Sequence, residues 1–279
     1  MRTAILFKII QRQNRFRNPK ALVKIPDDIQ FTREEFHEAK DYVSQLIKDK
    51  INFSYPGEEN YPTAFLKTLE PPLFFEYLGA PVWKAMDLLS VVGSRKIHPL
   101  SIEWMKSELR SLIKTTVFGI VSGGAIGVDI LSHAISVFEN RPTVAILPAG
   151  LSNLCPFDFK RLAPALLRTG GVIVSEFERT DGAHKNHFFY RNRLIAALGR
   201  VTVVVQAQER SGTLLTVHHA LQNGKPVLVV PSHPSLSCFR GNQILLQDGA
   251  SPVYNGADIG LHLQTEIQFG AHQQELFSV

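Results

Sequence analysis

The chain has 279 residues, of which 44% are hydrophobic, and a net charge of +5. This composition is ample for a hydrophobic core, and the basic balance favours an anionic partner without distinguishing nucleic acid from nucleotide or membrane. No apolar stretch approaches the roughly 20 residues that span a bilayer. The two cysteines, Cys155 and Cys238, lack metal-ligand spacing. We therefore expect a cytoplasmic protein with no metal, no cofactor and no membrane partner.

Basic residues are concentrated at the N-terminus of the chain. Seven of them precede Asp27 with no acidic residue among them, and no lysine or arginine follows Arg240. The two ends therefore have opposite charge. This pattern predicts a solvated, poorly ordered basic arm at the N-terminus.

The next segment, 32–50, predicts a single helix. Thr32 and Glu35 have the spacing of a capping box, and apolar residues recur behind them at helical intervals. Residues 51–82 are rich in proline and aromatic residues, which predicts extended chain and turns. We therefore treat 1–82 as a short N-terminal helical and extended lead-in.

From residue 87 onward, short apolar runs alternate with segments of helical period. The runs lie at 88–92, 118–121, 143–147, 171–174, 201–205 and 226–230, and the helical segments near 101–114, 126–138, 158–169, 190–199, 213–223 and 241–247. Runs that are apolar throughout indicate strands covered on both faces. The alternation predicts an α/β fold, Rossmann-like and doubly wound, with a mostly parallel sheet at 83–250 and a C-terminal tail at 251–279.

In such a sheet, ligands bind beyond the carboxyl ends of the strands, where the helices begin. The glycine-rich loop 122–127 follows the second run, and its first residues are Ser122, Gly123 and Gly124. Glycines let backbone N–H groups approach an anion, and the following helix presents its positive end. This predicts contact with a phosphate or sugar-phosphate, although tight turn geometry alone also requires glycines.

Two other turns have the same character. Arg95 follows the first run, where a guanidinium suits bidentate contact with a phosphate; a surface salt bridge is the alternative. Ser211 and Gly212 follow Arg210 at the start of a later helix. They are candidate anion contacts, although a serine N-cap explains the same pattern.

The segment 184–193, HKNHFFYRNR, interleaves basic and aromatic side chains. Cations that follow a backbone, beside rings on which bases stack, are typical of single-stranded nucleic-acid binding. We expect Phe189 and Tyr190 to anchor the segment in the core, and Phe188 to be the stacking residue. The candidate binding residues of this segment are Lys185, Phe188, Arg191, Asn192 and Arg193.

These blocks, in this order, resemble the DNA-processing protein A family. The matching blocks are VVGSR at 91–95, SGGAIGVDILSHA at 122–134, VAILPAGL at 144–151, SEF at 175–177, FFYRNRLIAAL at 188–198, SGTLLTVHHALQNGKPVLVVPS at 211–232 and GNQILLQDGA at 241–250. They span about 85 to 250. Four positions depart from the usual family residues, namely Ser152, Cys155, Gln206 and Ser232.

The resemblance implies a Rossmann-like homodimer that binds single-stranded DNA, protects it and helps to load the recombinase RecA during natural transformation. It implies that Arg95 contacts DNA, and that Lys185 and Phe188 are the basic and aromatic residues before the Arg-Asn-Arg motif. It also implies an N-terminal helical domain reduced to about one helix, and no room for the winged-helix domain of many members.

Two other functions compete with this one. Phosphoribohydrolases of the cytokinin-activating type carry Pro-Gly-Gly-x-Gly-Thr-x-x-Glu, and here Thr216 lies where their catalytic glutamate lies. Asp129 and His133 are four residues apart and share a helix face, but such a pair is more often structural than catalytic. A nucleotide-sensing module is the third interpretation. We therefore predict a protein that binds DNA and is not an enzyme.

Overall fold

The computed structural model describes residues 1–13 and 30–263. The strands are β1 (Asn52–Ser54), β2 (Phe75–Gly79), β3 (Leu88–Gly93), β4 (Gly119–Gly123), β5 (Thr143–Leu147), β6 (Val172–Ser175), β7 (Gly199–Gln206), β8 (Val227–Val229) and β9 (Ser251–Pro252). The helices are α1 (Arg2–Gln13), α2 (Arg33–Lys48), α3 (Pro99–Trp104), α4 (Arg110–Thr115), α5 (Val128–Phe138), α6 (Phe157–Arg168), α7 (Lys185–Leu198), α8 (Gly212–Gln222) and α9 (Arg240–Gln247). A π-helical segment, Met105–Leu109, joins α3 to α4, and 256–263 form a further helix.

The strands form one sheet in the order β1-β2-β6-β5-β4-β3-β7-β8-β9. From β6 to β9 every neighbouring pair is parallel, whereas β2 runs antiparallel to both β1 and β6. The chain order reverses at β3, which has β4 on one side and β7 on the other. The predicted Rossmann-like, mostly parallel fold is confirmed.

Alternate residues of the central strands face two separate cores. Val92 and Val204 pack on one face with Val217 of α8 and the end of α7. Val91 and Val203 pack on the other face with the α3–α4 run and the 256–263 helix. Burial of each such side chain stabilises the fold by about 1.5–3 kcal/mol. This explains why the runs read as apolar throughout instead of alternating.

All six predicted strands and all six helical segments occur near their predicted positions. The largest difference is α7, which begins at Lys185 instead of 190. Its N-cap, His184, has an extended backbone and makes no capping hydrogen bond through its side chain, so no capping signal marks the start. The segment 184–193 is therefore mostly helical.

The sheet extends past both boundaries predicted for the central domain. The edge strands β1 and β2 lie within 1–82, and β9 lies within 251–279. Val253, Ile259 and Leu263 are fully buried in the core beneath the sheet. Strands of two to five residues leave little periodicity in the sequence, which is why they were not predicted. Residues 264–279 of the predicted tail lie outside the described residues.

The expectation of a poorly ordered N-terminal arm is wrong for its first part, because Arg2–Gln13 form α1. Ile5, Phe7 and Ile10 are buried and pack with α2, so the described residues before the sheet form two helices instead of the one expected. The predicted capping box of α2, Thr32 with Glu35, is confirmed. The remaining basic residues of the arm lie in 14–29, outside the described residues. Within the described ranges, no helix has the length and apolar content needed to cross a membrane.

A buried ionic network joins α1 and α2 to β2. The Nζ of Lys8 lies 3.9 Å from Oε1 of Glu76 and 3.4 Å from Oε1 of Glu178, and the Lys8 and Glu76 side chains are each 1% exposed. The Tyr42 hydroxyl donates a hydrogen bond to the same Glu76 oxygen. Burial raises the pKa of Glu76 to about 7, an effect that Lys8 and Tyr42 oppose. Burial also lowers the pKa of Lys8.

The Glu76→Gln substitution tests this network through the pH dependence of stability. The pKa of Glu76 rises from 4.5 in the unfolded chain to about 7, so the folded protein binds the proton more tightly. The free energy of unfolding therefore falls as pH rises between these two pKa values, by about 1.4 kcal/mol for each pH unit. In urea unfolding at the two ends of this pH range, the variant should show a smaller fall than the parent. Glu103→Gln, at an exposed position of α3, is the control; an unchanged fall in the Glu76 variant would contradict the assignment.

Candidate nucleic-acid interface

A crevice of about 740 Å³ opens at the carboxyl ends of β3 and β7. The strand order reverses at this point, which is where open α/β sheets bind ligands. Four segments form its walls: the turn 93–96 after β3, residues 125–129 after β4, the loop 208–213 before α8, and one face of α7. We refer to this cavity as the crevice.

The structure brings most of the predicted binding residues together in the crevice. Those that line it are Arg95, Lys185, Phe188, Arg191, Asn192, Ser211 and Gly212. The other four, which do not line it, are Ser122, Gly123, Gly124 and Arg193. The segments that contribute lining residues are far apart in the sequence, and the switch point of the sheet brings them together.

One face of α7 supplies the largest part of the crevice wall. Lys185, Phe188 and Asn192 are spaced by three and four residues, so they lie on the same side of the helix. Lys185 is exposed, Phe188 is half-buried and Arg191 is buried, so the face runs from solvent to the crevice floor. These side chains are aligned because the segment is helical from Lys185 onward.

Arg95 lies over the ring of Phe188, with 4.6 Å between its Cζ and the ring centroid. A cation and an aromatic face therefore meet at the mouth of the crevice. Among the described residues, no carboxylate forms a salt bridge with Arg95. The guanidinium is exposed and available to an anion.

The floor of the crevice holds a buried cation and a buried carboxyl group. Arg191 is 3% exposed and Asp129 is 7% exposed. Nη1 of Arg191 donates a hydrogen bond to the Ile146 carbonyl at 2.6 Å, while its Nε has no partner among the described residues. Burial lowers the pKa of Arg191 to about 10, an effect that Asp129 opposes. Arg191 therefore stays positively charged at neutral pH.

The glycine-rich loop contributes Ala125 to the crevice wall, and its first residues make room for the two groups on the floor. A Cβ on Gly123 would lie 1.8 Å from Nη1 of Arg191 and 2.4 Å from Oδ2 of Asp129. Ser122 is fully buried, and its hydroxyl donates a hydrogen bond to the Val91 carbonyl at 2.6 Å. The buried Gly124 faces Leu147 and Phe159. None of the three lines the crevice itself, but Gly124 lines a neighbouring cavity of about 170 Å³ together with Arg95 and Phe188. Their contact with a phosphate stays a prediction.

The end of the same loop packs closely against the turn after β3. Gly127 has a φ of +93°, and a Cβ there would lie 2.3 Å from the Ser94 carbonyl oxygen. The Val128 N–H donates a hydrogen bond to that carbonyl at 3.2 Å. The Ala125 N–H is directed to the Asp129 carboxylate at 3.4 Å. The Ala125 and Val128 N–H groups at the start of α5 are therefore already used within the protein.

Arg193 is a structural anchor of α7. Its guanidinium makes two 2.7 Å hydrogen bonds to the Glu176 carboxylate, and others at 2.7 Å to the carbonyls of Glu70 and Tyr190. It lies two residues after Arg191, about 200° further around the helix, which directs it away from the crevice. The two arginines belong to one Arg-Asn-Arg motif in the sequence, but the helix directs their side chains to different sides.

The aromatic residues of α7 are also distributed differently from the prediction. Phe189 is 44% exposed and Tyr190 is 52% exposed, so the expectation that they anchor the segment in the core is wrong. The expectation that Asp129 and His133 could pair is also not met. His133 contacts the Thr143 hydroxyl and the Gly123 carbonyl instead, and burial lowers its pKa to about 4.

Two polar lining residues, Lys96 and Gln208, were missed in the sequence. Lys96 follows the predicted Arg95, which is the signal that could have found it. Asp129, Arg210 and Thr213, which were not among the predicted binding residues, also line the crevice. Ser211 occupies the N-cap of α8 but makes no capping hydrogen bond, and its buried Oγ has no partner among the described residues. Its hydroxyl is therefore unused at a helix N-terminus that faces the crevice.

Gln206 holds the turn that carries Arg95. Its Oε1 accepts hydrogen bonds from the His98 N–H at 2.8 Å and from the Ser101 hydroxyl at 3.0 Å. Its Nε2 donates to the Lys96 carbonyl at 3.1 Å. The amide thus supplies a donor that the carboxylate of a glutamate would lack at this position.

Gly123→Ala tests the requirement for space beside Arg191. A methyl group would overlap the guanidinium, so we expect the free energy of unfolding to fall by about 1–3 kcal/mol. Gly212→Ala is the matched control, because a Cβ there meets no atom within 4 Å and should change stability by less than about 0.5 kcal/mol. Urea unfolding measures both variants. Equal stability of the two would show that Gly123 is not needed for packing.

The fold and the crevice define the class to which the chain belongs: a Rossmann-like α/β protein with a cationic, aromatic ligand site at its switch point. Among family models, the one for DNA recombination-mediator protein A matches residues 52–264. This match covers well over half of the chain. The chain therefore belongs to the DNA recombination-mediator protein A family, as its sequence blocks predicted.

Individual relatives agree with the family model. The chain is 31% identical to protein Smf of Borreliella burgdorferi over 210 residues, which are 75% of this chain and 64% of that protein. It is 29% identical to the DNA processing protein DprA of Streptococcus pneumoniae over 72% of this chain and 71% of that protein. It is 33% identical to protein Smf of Escherichia coli over 77% of this chain and 56% of that protein. The match thus spans less than two thirds of the Borreliella and Escherichia proteins.

Two solved structures share the fold. DprA from Streptococcus pneumoniae superposes with a TM-score of 0.72 and 25% identity, over 92% of each chain. DprA from Helicobacter pylori superposes with a TM-score of 0.68 and 28% identity, over 77% of this chain and 97% of that one. The latter structure concerns the single-stranded DNA binding mode of the Helicobacter protein.

Proposed function

We propose that the crevice binds single-stranded DNA. The observation that carries this proposal is the convergence of exposed cations from three chain segments around one half-buried ring. Arg95 comes from the turn after β3, Lys185 from α7 and Arg210 from the loop before α8, and Phe188 lies among them. Backbone phosphates need cations along a path, and unpaired bases need a ring face on which to stack.

The charge of the crevice favours a polyanion. Arg95, Lys96, Lys185, Arg191 and Arg210 all line it. Of the described residues that line the crevice, the only one with a carboxylate is Asp129, which is buried beside Arg191. The wall therefore keeps a net positive charge toward the opening, and phosphate binding there releases condensed counterions.

The ring of Phe188 favours a single strand over a duplex. Base stacking on an aromatic side chain contributes about 1–3 kcal/mol per base. In a duplex the bases are stacked on one another, so reaching the ring requires unstacking and unpairing. An unpaired base reaches the ring without that cost.

Beyond binding, we propose that the protein protects incoming single strands and helps to load RecA in recombination and natural transformation. The family description as a recombination mediator supports a role in passing single-stranded DNA to a recombinase. The DprA named among the relatives is described as a DNA processing protein. We propose further that the protein acts in the cytoplasm as a homodimer, as expected from its sequence.

We also propose that the crevice binds its ligand without a reaction. Thr216 lines the crevice at the position where the related phosphoribohydrolase signature has its catalytic glutamate. A threonine hydroxyl does not act as the carboxylate base of that signature. The lining is better suited to holding phosphates and bases than to hydrolysis.

Arg95→Ala and Lys185→Ala should each weaken binding of oligo-dT, measured by fluorescence polarisation at two salt concentrations. The slope of log affinity against log salt should decrease by about 0.7 for each phosphate that the variant no longer neutralises. Lys114→Ala is the matched control, because this exposed lysine lies in the last turn of α4, directly before β4 and so near the amino ends of the strands, whereas the crevice is at their carboxyl ends. It should leave affinity unchanged.

These binding measurements, together with an assay for base release, distinguish the competing functions. Silent Arg95 and Lys185 variants, or equal affinity for a duplex of the same length, would contradict the proposal. Release of free base from nucleoside monophosphates by the parent protein would favour the hydrolase instead.

A further inference from the structure

A second cavity adjoins the crevice at Phe189, which lines both of them. It has a volume of about 300 Å³ and lies between α7, α8 and the segment 68–70. Its walls include Leu69, Phe189, Tyr190, Leu215, His219 and Gln222. We refer to it as the side groove. Of the described residues that line it, only Arg193 was among the binding residues predicted from the sequence.

The side groove is marked by exposed apolar side chains from different elements. Leu69 is 68% exposed, Tyr190 is 52% exposed and Phe189 is 44% exposed. Large apolar side chains that cluster around one concave site indicate a binding surface. Scattered exposed apolar residues would need no such explanation, but these three line the same cavity.

The floor of the side groove excludes a phosphate. Arg193 lies there, but its guanidinium is engaged by the Glu176 carboxylate and by two main-chain carbonyls. The cation is therefore already neutralised, in contrast to the exposed cations of the crevice. A ligand in the side groove must be apolar and uncharged in its main part.

The rim of the side groove carries neutral polar groups together with one exposed carboxylate, that of Glu70, which also disfavours a phosphate there. Gln222 and Asn223 supply amide donors and acceptors, and His219 supplies an imidazole. Burial lowers the pKa of His219, which favours its neutral form. Neutral donors and acceptors beside apolar walls are the groups that bind the edges of a nucleobase, whose faces stack on rings.

We propose that the side groove holds a nucleobase of the same strand whose phosphates lie in the crevice. This inference rests on the proposed function and adds a base-binding subsite to it. Phe188 and Phe189 are consecutive on α7, and consecutive helix residues point about 100° apart. Bases on one strand are thus received on two sides of α7, with Phe188 toward the crevice and Phe189 shared between the cavities.

The size of the side groove supports a single base as its occupant. Its volume is at the lower end of the roughly 300–1,000 Å³ typical of small-molecule sites. The cationic crevice that opens beside it brings a polyanionic strand to its edge. A planar, uncharged group on such a strand fits both the walls and the neutral floor.

Leu215→Trp tests the inference by filling the side groove without changing a crevice residue. Leu221→Trp is the matched control, since it places the same side chain on α8 at a 59% exposed position outside the groove. Affinity is measured for oligo-dT and for an abasic oligonucleotide of equal length. The Leu215 variant should bind oligo-dT roughly five- to hundredfold more weakly than the control, the equivalent of losing one stacked base. Its affinity for the abasic strand and its salt slope should be unchanged.

Tyr190→Ala removes one wall instead of filling the space, and it should cause the same selective loss for oligo-dT. Thermal unfolding checks that both variants remain folded. If Arg95→Ala weakens binding while both groove variants bind oligo-dT like the control, the side groove is not a base site but the proposed function stands. If Arg95→Ala is silent, the proposed function fails first. Normal DNA binding by the groove variants with loss of self-association would assign the groove to a second copy of the chain and overturn the inference.

Discussion

The buried guanidinium of Arg191 determines how the parts of the site fit together. Removing a cation from water costs several kcal/mol unless nearby groups compensate it, and here the Ile146 carbonyl and Asp129 do so. The guanidinium fits only because residue 123 has no side chain. The end of β5, the loop after β4 and the middle of α7 are therefore fixed relative to one another. Every crevice residue on α7 depends on that placement.

The helical phase of α7 then sorts chemically similar neighbours into different roles. Lys185, Phe188 and Arg191 face the crevice, whereas Arg193 turns away to bind Glu176. The crevice therefore keeps cations that face solvent, whereas Arg193, on the other side of α7, is neutralised by the Glu176 carboxylate. The result is a charged cavity beside an apolar one, with Phe189 between them. This division matches the two chemical parts of a nucleotide strand.

The parallel core was predictable because strands buried on both faces leave continuous apolar runs, as in the 143–147 and 201–205 segments. The edge strands and β9 were not predictable, since they are too short to show a period. The crevice position of Arg95 was predictable from its place at the end of the first strand, and that of Lys185 and Phe188 from the interleaved basic and aromatic residues of 184–193. The roles of Gly123 and Arg193 were not, because they depend on which atoms lie across a packed interface. The apolar pattern of α1 was visible in the sequence, but the basic residues around it masked its buried face.

Photocrosslinking tests the central claim, binding of single-stranded DNA in the crevice, most directly. An oligonucleotide with 5-iodo-deoxyuridine at successive positions is irradiated with the protein, and the linked residue is identified by peptide mass spectrometry. The account predicts linkage at Phe188 on α7, with loss of that linkage when unlabelled single strand competes. Linkage confined to α6 or to the α1–α2 pair, with none on α7, would contradict it.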